Sequence, residues 1–129
     1  MQIHQSAEDY LETILMLSQR MGKVRSIDVV NELGFTKASV SIAMKKLREN
    51  GYIAVDGEGN LTLLAPGREI AERIYGRHRL LTHFFMQLGV DEQTAAEDAC
   101  KAEHILSEQT LEKIRESALR NDAAHPQAK

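Results

Sequence analysis

Residues 25–53 read Arg25-Ser26-Ile27-Asp28-Val29-Val30-Asn31-Glu32-Leu33-Gly34-Phe35-Thr36-Lys37-Ala38-Ser39-Val40-Ser41-Ile42-Ala43-Met44-Lys45-Lys46-Leu47-Arg48-Glu49-Asn50-Gly51-Tyr52-Ile53, and this stretch decides the fold. Ser26 is a predicted N-cap for a short helix whose inner face is Ile27, Val30 and Leu33, and Gly34 closes it. Thr36 caps the next helix, whose apolar stripe is Val40, Met44 and Leu47, and Gly51 stops it. Two short apolar runs follow, Tyr52–Val55 and Leu61–Leu64, separated by the turn formers Asp56-Gly57-Glu58-Gly59-Asn60. That pattern predicts a hairpin. Helix, glycine turn, helix and hairpin make the layout of a winged helix-turn-helix, a module that places its second helix in the DNA major groove.

Outward from that stretch the chain is helical. Ser6 is a predicted cap for a first helix, with Glu8 and Asp9 in its first turn and Tyr10, Leu11, Ile14, Leu15 and Leu17 as its apolar face, ending near Met21-Gly22. Pro66 suits the first turn of a fourth helix that runs through Ile70, Ile74, Leu80, Leu81, Phe84 and Phe85 and stops at Gly89. Asp91 caps a fifth, from Glu92 to Leu106, and Ser107 a sixth, through Leu111, Ile114 and Leu119. The fold class is therefore mainly α with a small β-hairpin wing. Residues 1–65 form the winged helix-turn-helix domain and 66–120 a helical domain, while 121–129, which has no apolar period and contains Pro126, is a disordered tail.

Composition narrows the function. The chain has 129 residues, 43% of them hydrophobic, enough for a core, and a net charge of −3, which is not that of a general polyanion binder. DNA binding must rest on a local basic patch. No apolar run is long enough to cross a membrane, and Met1–Ser6 lacks the features of a signal peptide. With Cys100 alone, no internal disulfide forms, which fits a reducing, cytoplasmic setting.

A recognition helix keeps its inner face apolar and presents small or short polar side chains near its N-terminus, so that the backbone approaches base edges. Thr36, Lys37, Ala38, Ser39, Ser41 and Ile42 meet this requirement, and Ile42 suits a thymine methyl. Lys37, Lys45, Lys46 and Arg48 suit phosphates, which supply affinity rather than sequence information. The plain alternative is a helical hairpin with a solvated basic face. The tip of the wing is acidic, with Asp56 and Glu58, and is expected to contribute little to phosphate binding.

Outside this module, Asp9 and Glu12 lie three residues apart on the first helix, His78 lies midway along the fourth, and Cys100, Glu103 and His104 share one face of the predicted fifth helix. Carboxylate, imidazole and thiolate together suit a divalent transition metal. Each residue also has a plainer reading: Asp9 as helix-dipole chemistry, His78 as a surface or core histidine, Cys100 as a small apolar residue, Glu103-His104 as a solvated pair. The chain carries no His-Glu-x-x-His helix, nucleophile elbow or phosphate loop, so it does not read as an enzyme.

Taken in order, Ser6-Ala7-Glu8-Asp9-Tyr10-Leu11-Glu12-Thr13-Ile14, the helix-turn-helix, Arg77-His78-Arg79-Leu80-Leu81 and Cys100-Lys101-Ala102-Glu103-His104 resemble the diphtheria toxin repressor family of metal-dependent transcriptional repressors, in its shorter, manganese-transport-regulator-like branch. The resemblance implies a homodimer on a palindromic operator in double-stranded DNA, a helical C-terminal region for metal binding and dimerisation, and a metal co-repressor that switches off uptake genes. It implies Asp9, Glu12, His78, Glu103 and His104 as ligands. Cys100 departs from the manganese branch, which carries glutamate there, and matches the iron branch, whereas Asp9 departs from the iron branch, which carries methionine. Thiolate moves preference from manganese towards softer ions, so Fe2+ or Mn2+ is the expected ion, with Zn2+, Co2+ or Ni2+ binding in vitro. Thr82 and Ala96 stand where longer iron regulators place an ancillary site, and neither that site nor an SH3-like domain is expected. No membrane and no organic small molecule is an expected partner. The alternative is a winged-helix regulator controlled by an organic ligand or by thiol redox.

Overall fold

The computed structural model describes residues 5–124. In chain order its elements are α1 (Gln5–Met21), β1 (Val24–Arg25), α2 (Ser26–Leu33), α3 (Lys37–Glu49), β2 (Ile53–Val55), β3 (Asn60–Leu63), α4 (Ala65–Gln87), α5 (Glu92–Ala102) and α6 (Glu108–Ala124). The chain divides into two compact units, one up to Arg73 and one from Ile74, with the division inside α4. The expected mainly α, winged helix-turn-helix class is the one observed.

The first unit is built on α1. Leu11, Ile14, Leu15 and Leu17 are buried there, and the helix packs against α2, α3, β1 and β3. Each such side chain contributes about 1.5–3 kcal/mol when taken fully out of water. Ser6 lies inside the first turn of α1 rather than ahead of it. The cap position of α2 is Arg25, not Ser26, and the Arg25 backbone N–H donates to Asp28 Oδ2 at 2.8 Å, the N3 half of a capping box. Val29, not Ile27, is the fully buried residue of α2, and Ile27 is exposed. Gly34 ends α2 in the left-handed region (φ 72°), where its N–H donates to Val30 O at 2.8 Å, a conformation that costs glycine little.

α3 follows the predicted pattern. The Thr36 hydroxyl oxygen accepts the Ser39 N–H at 3.1 Å, and Val40, Met44 and Leu47 are buried. The hairpin is also present, but β3 is the middle strand of three. It pairs antiparallel with β2 (Ile53 opposite Leu63, Val55 opposite Leu61) and with β1 (Val24 opposite Leu61, Arg25 opposite Asn60). The two-residue β1 is too short to leave a periodic signal. Ile53, Leu61, Leu63 and Val24 are buried while Thr62 points outward, the alternation of a sheet with one covered face. α4 begins hard against the chain leaving α3: a Cβ on Gly67 would lie 2.2 Å from the Tyr52 carbonyl oxygen.

In the second unit, Leu81, Ala99 and Leu111 form a core flanked by Leu80, Phe85, Ala102, Leu106 and Ile114. Asp91 caps α5 by accepting the Thr94 N–H at 3.0 Å, and Ser107 caps α6 by accepting that of Thr110 at 3.1 Å. Three expectations are corrected here. α5 stops at Ala102 rather than Leu106, and residues 103–106 form a turn. Leu119 is exposed, and Ala118 takes the buried position. α6 runs through Asn121 and Asp122 to Ala124, because Asp122 Oδ1 meets His83 Nε2 at 2.9 Å and Asn121 donates to Gln87 at 3.0 Å. The remainder of the expected tail, 125–129, lies outside the described residues. No helix among the described residues is long and apolar enough to cross a membrane.

Candidate nucleic-acid interface and metal centre

The face of α3 opposite its core stripe is open. Thr36, Lys37, Ala38, Ser39, Ser41, Ile42, Lys45 and Lys46 are all exposed, Ile42 to 58%. Two open hollows, each about 290 Å³, flank the helix. One is lined by Tyr10, Ser39, Ile42 and Lys46, the other by Ser26, Ser41, Lys45 and Arg48. α3 therefore stands out as a ridge. Among the described residues, Lys37, Lys45, Lys46 and Arg48 form no ion pair, so their charges remain available to phosphates.

The cap also orders the front of this ridge. The Thr36 hydroxyl donates to Ser39 Oγ at 2.9 Å while accepting the Ser39 N–H, which leaves Ser41 the freer hydroxyl. At the tip of the wing, Asp56 Oδ1 accepts the N–H groups of Glu58 and Asn60, each at 2.9 Å, and Oδ2 accepts Asn60 Nδ2 at 3.0 Å. These bonds, that of the Asn60 N–H foremost, hold the carboxyl below the usual carboxylate range. One of the two acidic groups of the wing is thus consumed by the turn. Arg25, in β1, carries no motif of its own. It is exposed, and its guanidinium lies beside Gly59, 3.3 Å from where a Cβ would stand, so a cation accompanies the acidic turn. Only the pairing of β1 with β3 brings it there.

Of the expected metal ligands, Asp9 and Glu12 sit on α1, Asp9 half-buried and Glu12 5% exposed among Leu11, Thr13, Ile14 and Leu15. A carboxylate in such surroundings is costly unless compensated. In the second unit α4 supplies His78, and the turn after α5 supplies Glu103 and His104. Glu103 is fully buried and lies between the two rings: Oε2 is 3.0 Å from His78 Nδ1 and Oε1 is 3.4 Å from His104 Nε2. The His78 ring stacks on Tyr75, with centroids 6.5 Å apart, and Arg79 lies over the other side chain of that pair, 5.8 Å from the Tyr75 centroid. Cys100, in the last turn of α5, is exposed. Cys100, Glu103 and His104 straddle the end of α5: Glu103 keeps right-handed helical dihedrals (φ −60°, ψ −22°) and its N–H donates to Ala99 O at 2.9 Å.

His78, Glu103 and His104 offer two imidazoles and a carboxylate, donors that suit a first-row divalent ion. Imidazole and carboxylate are the ligand types such ions take.

A ridge-like recognition helix beside a three-stranded wing defines the first unit as a winged helix-turn-helix DNA-binding module. Residues 2–61 match the family model of the iron dependent repressor N-terminal DNA binding domain, and residues 65–126 that of the iron dependent repressor metal binding and dimerisation domain. An uncharacterized helix-turn-helix-type transcriptional regulator of Methanocaldococcus jannaschii is 35% identical over 113 residues, covering 86% of this chain and 90% of its own. The transcriptional regulator MntR of Bacillus subtilis is 34% identical over 109 residues, 84% of this chain and 77% of that one. The solved structure of a manganese-dependent transcriptional repressor in complex with manganese superposes with a TM-score of 0.79 at 28% identity, over 87% of this chain and 52% of that one. This chain thus spans about half the length of that solved protein. The chain belongs to the diphtheria toxin repressor family of metal-dependent transcriptional repressors.

Proposed function

We propose that this chain is a homodimeric repressor that binds a palindromic operator in double-stranded DNA when it holds a divalent transition metal, Fe2+ or Mn2+, and so controls genes of metal uptake. The observation that carries the reading is the buried Glu103 carboxylate set between the His78 and His104 rings. It is supported by the exposed, unpaired basic face of α3 and by the match to a metal binding and dimerisation domain. The proposed ligands are Asp9, Glu12, His78, Cys100, Glu103 and His104. The ion supplies positive charge and a fixed coordination geometry. The protein's own residues do the rest: Thr36 fixes the start of α3, Ala38, Ser39, Ser41 and Ile42 meet base edges, and Lys37, Lys45, Lys46 and Arg48 meet phosphates, with Arg25 beside the wing adding a further cation. Two copies place their recognition helices roughly 34 Å apart, one turn of DNA. A hundredfold tighter hold on the ion in the DNA-competent state is worth about 2.7 kcal/mol, enough to decide operator occupancy.

The test is anaerobic binding to DNA upstream of the chain's own gene and of neighbouring metal-transporter genes, titrated with Mn2+, Fe2+ and Zn2+ against a chelated blank. Binding only with metal is expected, and Glu103→Ala or His104→Ala is expected to abolish the metal response in a folded protein. Equal binding in chelator would overturn the metal-dependent reading and direct attention to an organic ligand or to oxidation of the exposed Cys100.

A further inference from the structure

We propose that Arg77 is a positioning residue for the metal, acting through the turn that carries Glu103 and His104; the inference rests on the metal reading above. Arg77 precedes His78 on α4, and its side chain is only 11% exposed. One arm of its guanidinium, Nη1, donates to the Glu103 backbone carbonyl at 3.2 Å, and the other, Nη2, pairs with the Glu108 carboxylate. Glu103 is the first residue after α5 and Glu108 the first of α6. A single planar fork therefore clamps both ends of the segment between these helices.

That segment is also tied at its two ends, where the Glu103 N–H donates to Ala99 O at 2.9 Å and Ser107 Oγ accepts the Thr110 N–H at 3.1 Å. Its own backbone bonds are those of Ile105 and Leu106 N–H to Ala102 O, at 3.1 and 3.3 Å. Yet Glu103 must hold its oxygens 3.0 and 3.4 Å from two different rings, one on α4 and one on the turn itself. Because Arg77 and His78 are consecutive on α4, the clamp and the His78 ring belong to one rigid element. Arg77 thus references the Glu103 backbone to the same helix that carries its partner imidazole. Lysine cannot replace it, since an ammonium on a flexible stem lacks two donors fixed in one plane. Residues that hold ligands from behind typically matter 10–100-fold in metal affinity.

The experiment uses the full chain. Mn2+ affinity is read from the free-ion EPR signal, with Zn2+ against a chromophoric chelator as a second probe, and the thermal midpoint of the metal-free protein is measured beside it. Arg77→Met is expected to weaken Mn2+ binding by about 10–100-fold, with Arg77→Lys between it and wild type. Glu108→Gln, which leaves the bond to Glu103 in place, is expected to lose less. A role in stability alone would lower the midpoint and leave the affinity of the folded protein unchanged. Affinities of all three variants within twofold of wild type overturn the proposal while leaving the metal site standing. A wild-type chain that binds neither ion overturns both. Should Arg77→Met fail to fold, Arg77→Lys and Glu108→Gln carry the same comparison.

Discussion

Gly67→Ala tests how the wing is anchored, and the sign of its effect can be worked from the structure. The added methyl would lie 2.2 Å from the Tyr52 carbonyl oxygen, 3.0 Å from its carbon and 3.3 Å from Leu11 Cδ2. An ordinary carbon–oxygen contact is about 3.3 Å or more, so the backbones must part by about 1 Å. The obstacle is main chain, not a flexible side-chain end, and that carbonyl also accepts the Leu64 N–H at 3.0 Å. Forcing a methyl into such a site costs about 1–3 kcal/mol, and loss of the hydrogen bond adds about 1 kcal/mol. Against this, alanine gains at most about 1 kcal/mol of helix propensity over glycine, and less here because α4 begins only two residues earlier, at Ala65. The net expectation is a loss of roughly 1–3 kcal/mol, or about 5–15 °C in thermal midpoint for a chain of this size. Gly76→Ala is the control: the same helix, no atom within 4 Å of the new methyl, and an expected gain of up to about 1 kcal/mol. Urea and thermal unfolding followed by circular dichroism read both. The Tyr52 N–H donates to Leu47 O at 2.9 Å, so displacement of Tyr52 should also reach the end of α3 and weaken operator binding. If Gly67→Ala were within about 0.5 kcal/mol of wild type, the size expected of an inconsequential surface change, the close approach would not exist as described.

Thr36→Ala removes the oxygen that accepts the Ser39 N–H; it is expected to cost about 1 kcal/mol of stability and to weaken operator affinity, and an unchanged urea midpoint would count against the cap. Lys45→Ala and Lys46→Ala should each weaken binding about equally across DNA sequences and make the log-affinity against log-salt slope shallower by about 1; an unchanged slope would take that lysine off the phosphates. Cys100→Glu should raise the response to Mn2+ relative to Fe2+ in the operator assay, and an unaltered ratio would show that this exposed thiol does not set selectivity. The Asp91 carboxyl is held below its ordinary value of 3.8, chiefly by the Thr94 N–H. Its stabilising contribution is therefore complete above that value and is lost as pH falls below it through the depressed folded-state pKa. Asp91→Asn keeps an acceptor without a charge, so the stability difference between it and wild type should be constant near neutral pH and change only below about pH 4; a difference that moves between about pH 7 and pH 5 would refute the assignment.

What was legible in the chain was whatever a single helix or turn decides for itself. α3 follows from residues 36–51 alone: a hydroxyl at its start, an apolar stripe at 40, 44 and 47, and glycine at its end, and each acts over four residues or fewer. The same locality made the caps Asp91 and Ser107 readable. Ser26 misled because it is already the first residue of α2; the cap position is Arg25, whose N–H the Asp28 carboxylate accepts. β1 was not legible at all, since two residues have no period and its pairing partner lies more than thirty positions away.

The candidate site divides along the same line. The residue types were readable, because imidazoles and carboxylates announce their chemistry wherever they sit. Their arrangement was not, because it depends on where α5 stops. Positions 100, 103 and 104 straddle the end of α5, with Glu103 still in right-handed helical geometry. α5 ends at Ala102; beyond it Leu106 and Leu111 join the Leu81 core, and Arg77 donates from α4 to the Glu103 carbonyl. Cys100, still within α5, is exposed, and Glu103 is buried. Spacing alone makes the thiolate and the carboxylate equals; packing separates them by solvent access, and a donor withdrawn from water is the one whose exchange for a metal costs least in lost hydration. Selectivity inferred from a cysteine in the sequence must therefore be weighed against the shape of the turn that follows it, which is why the Cys100→Glu ratio is informative in either direction.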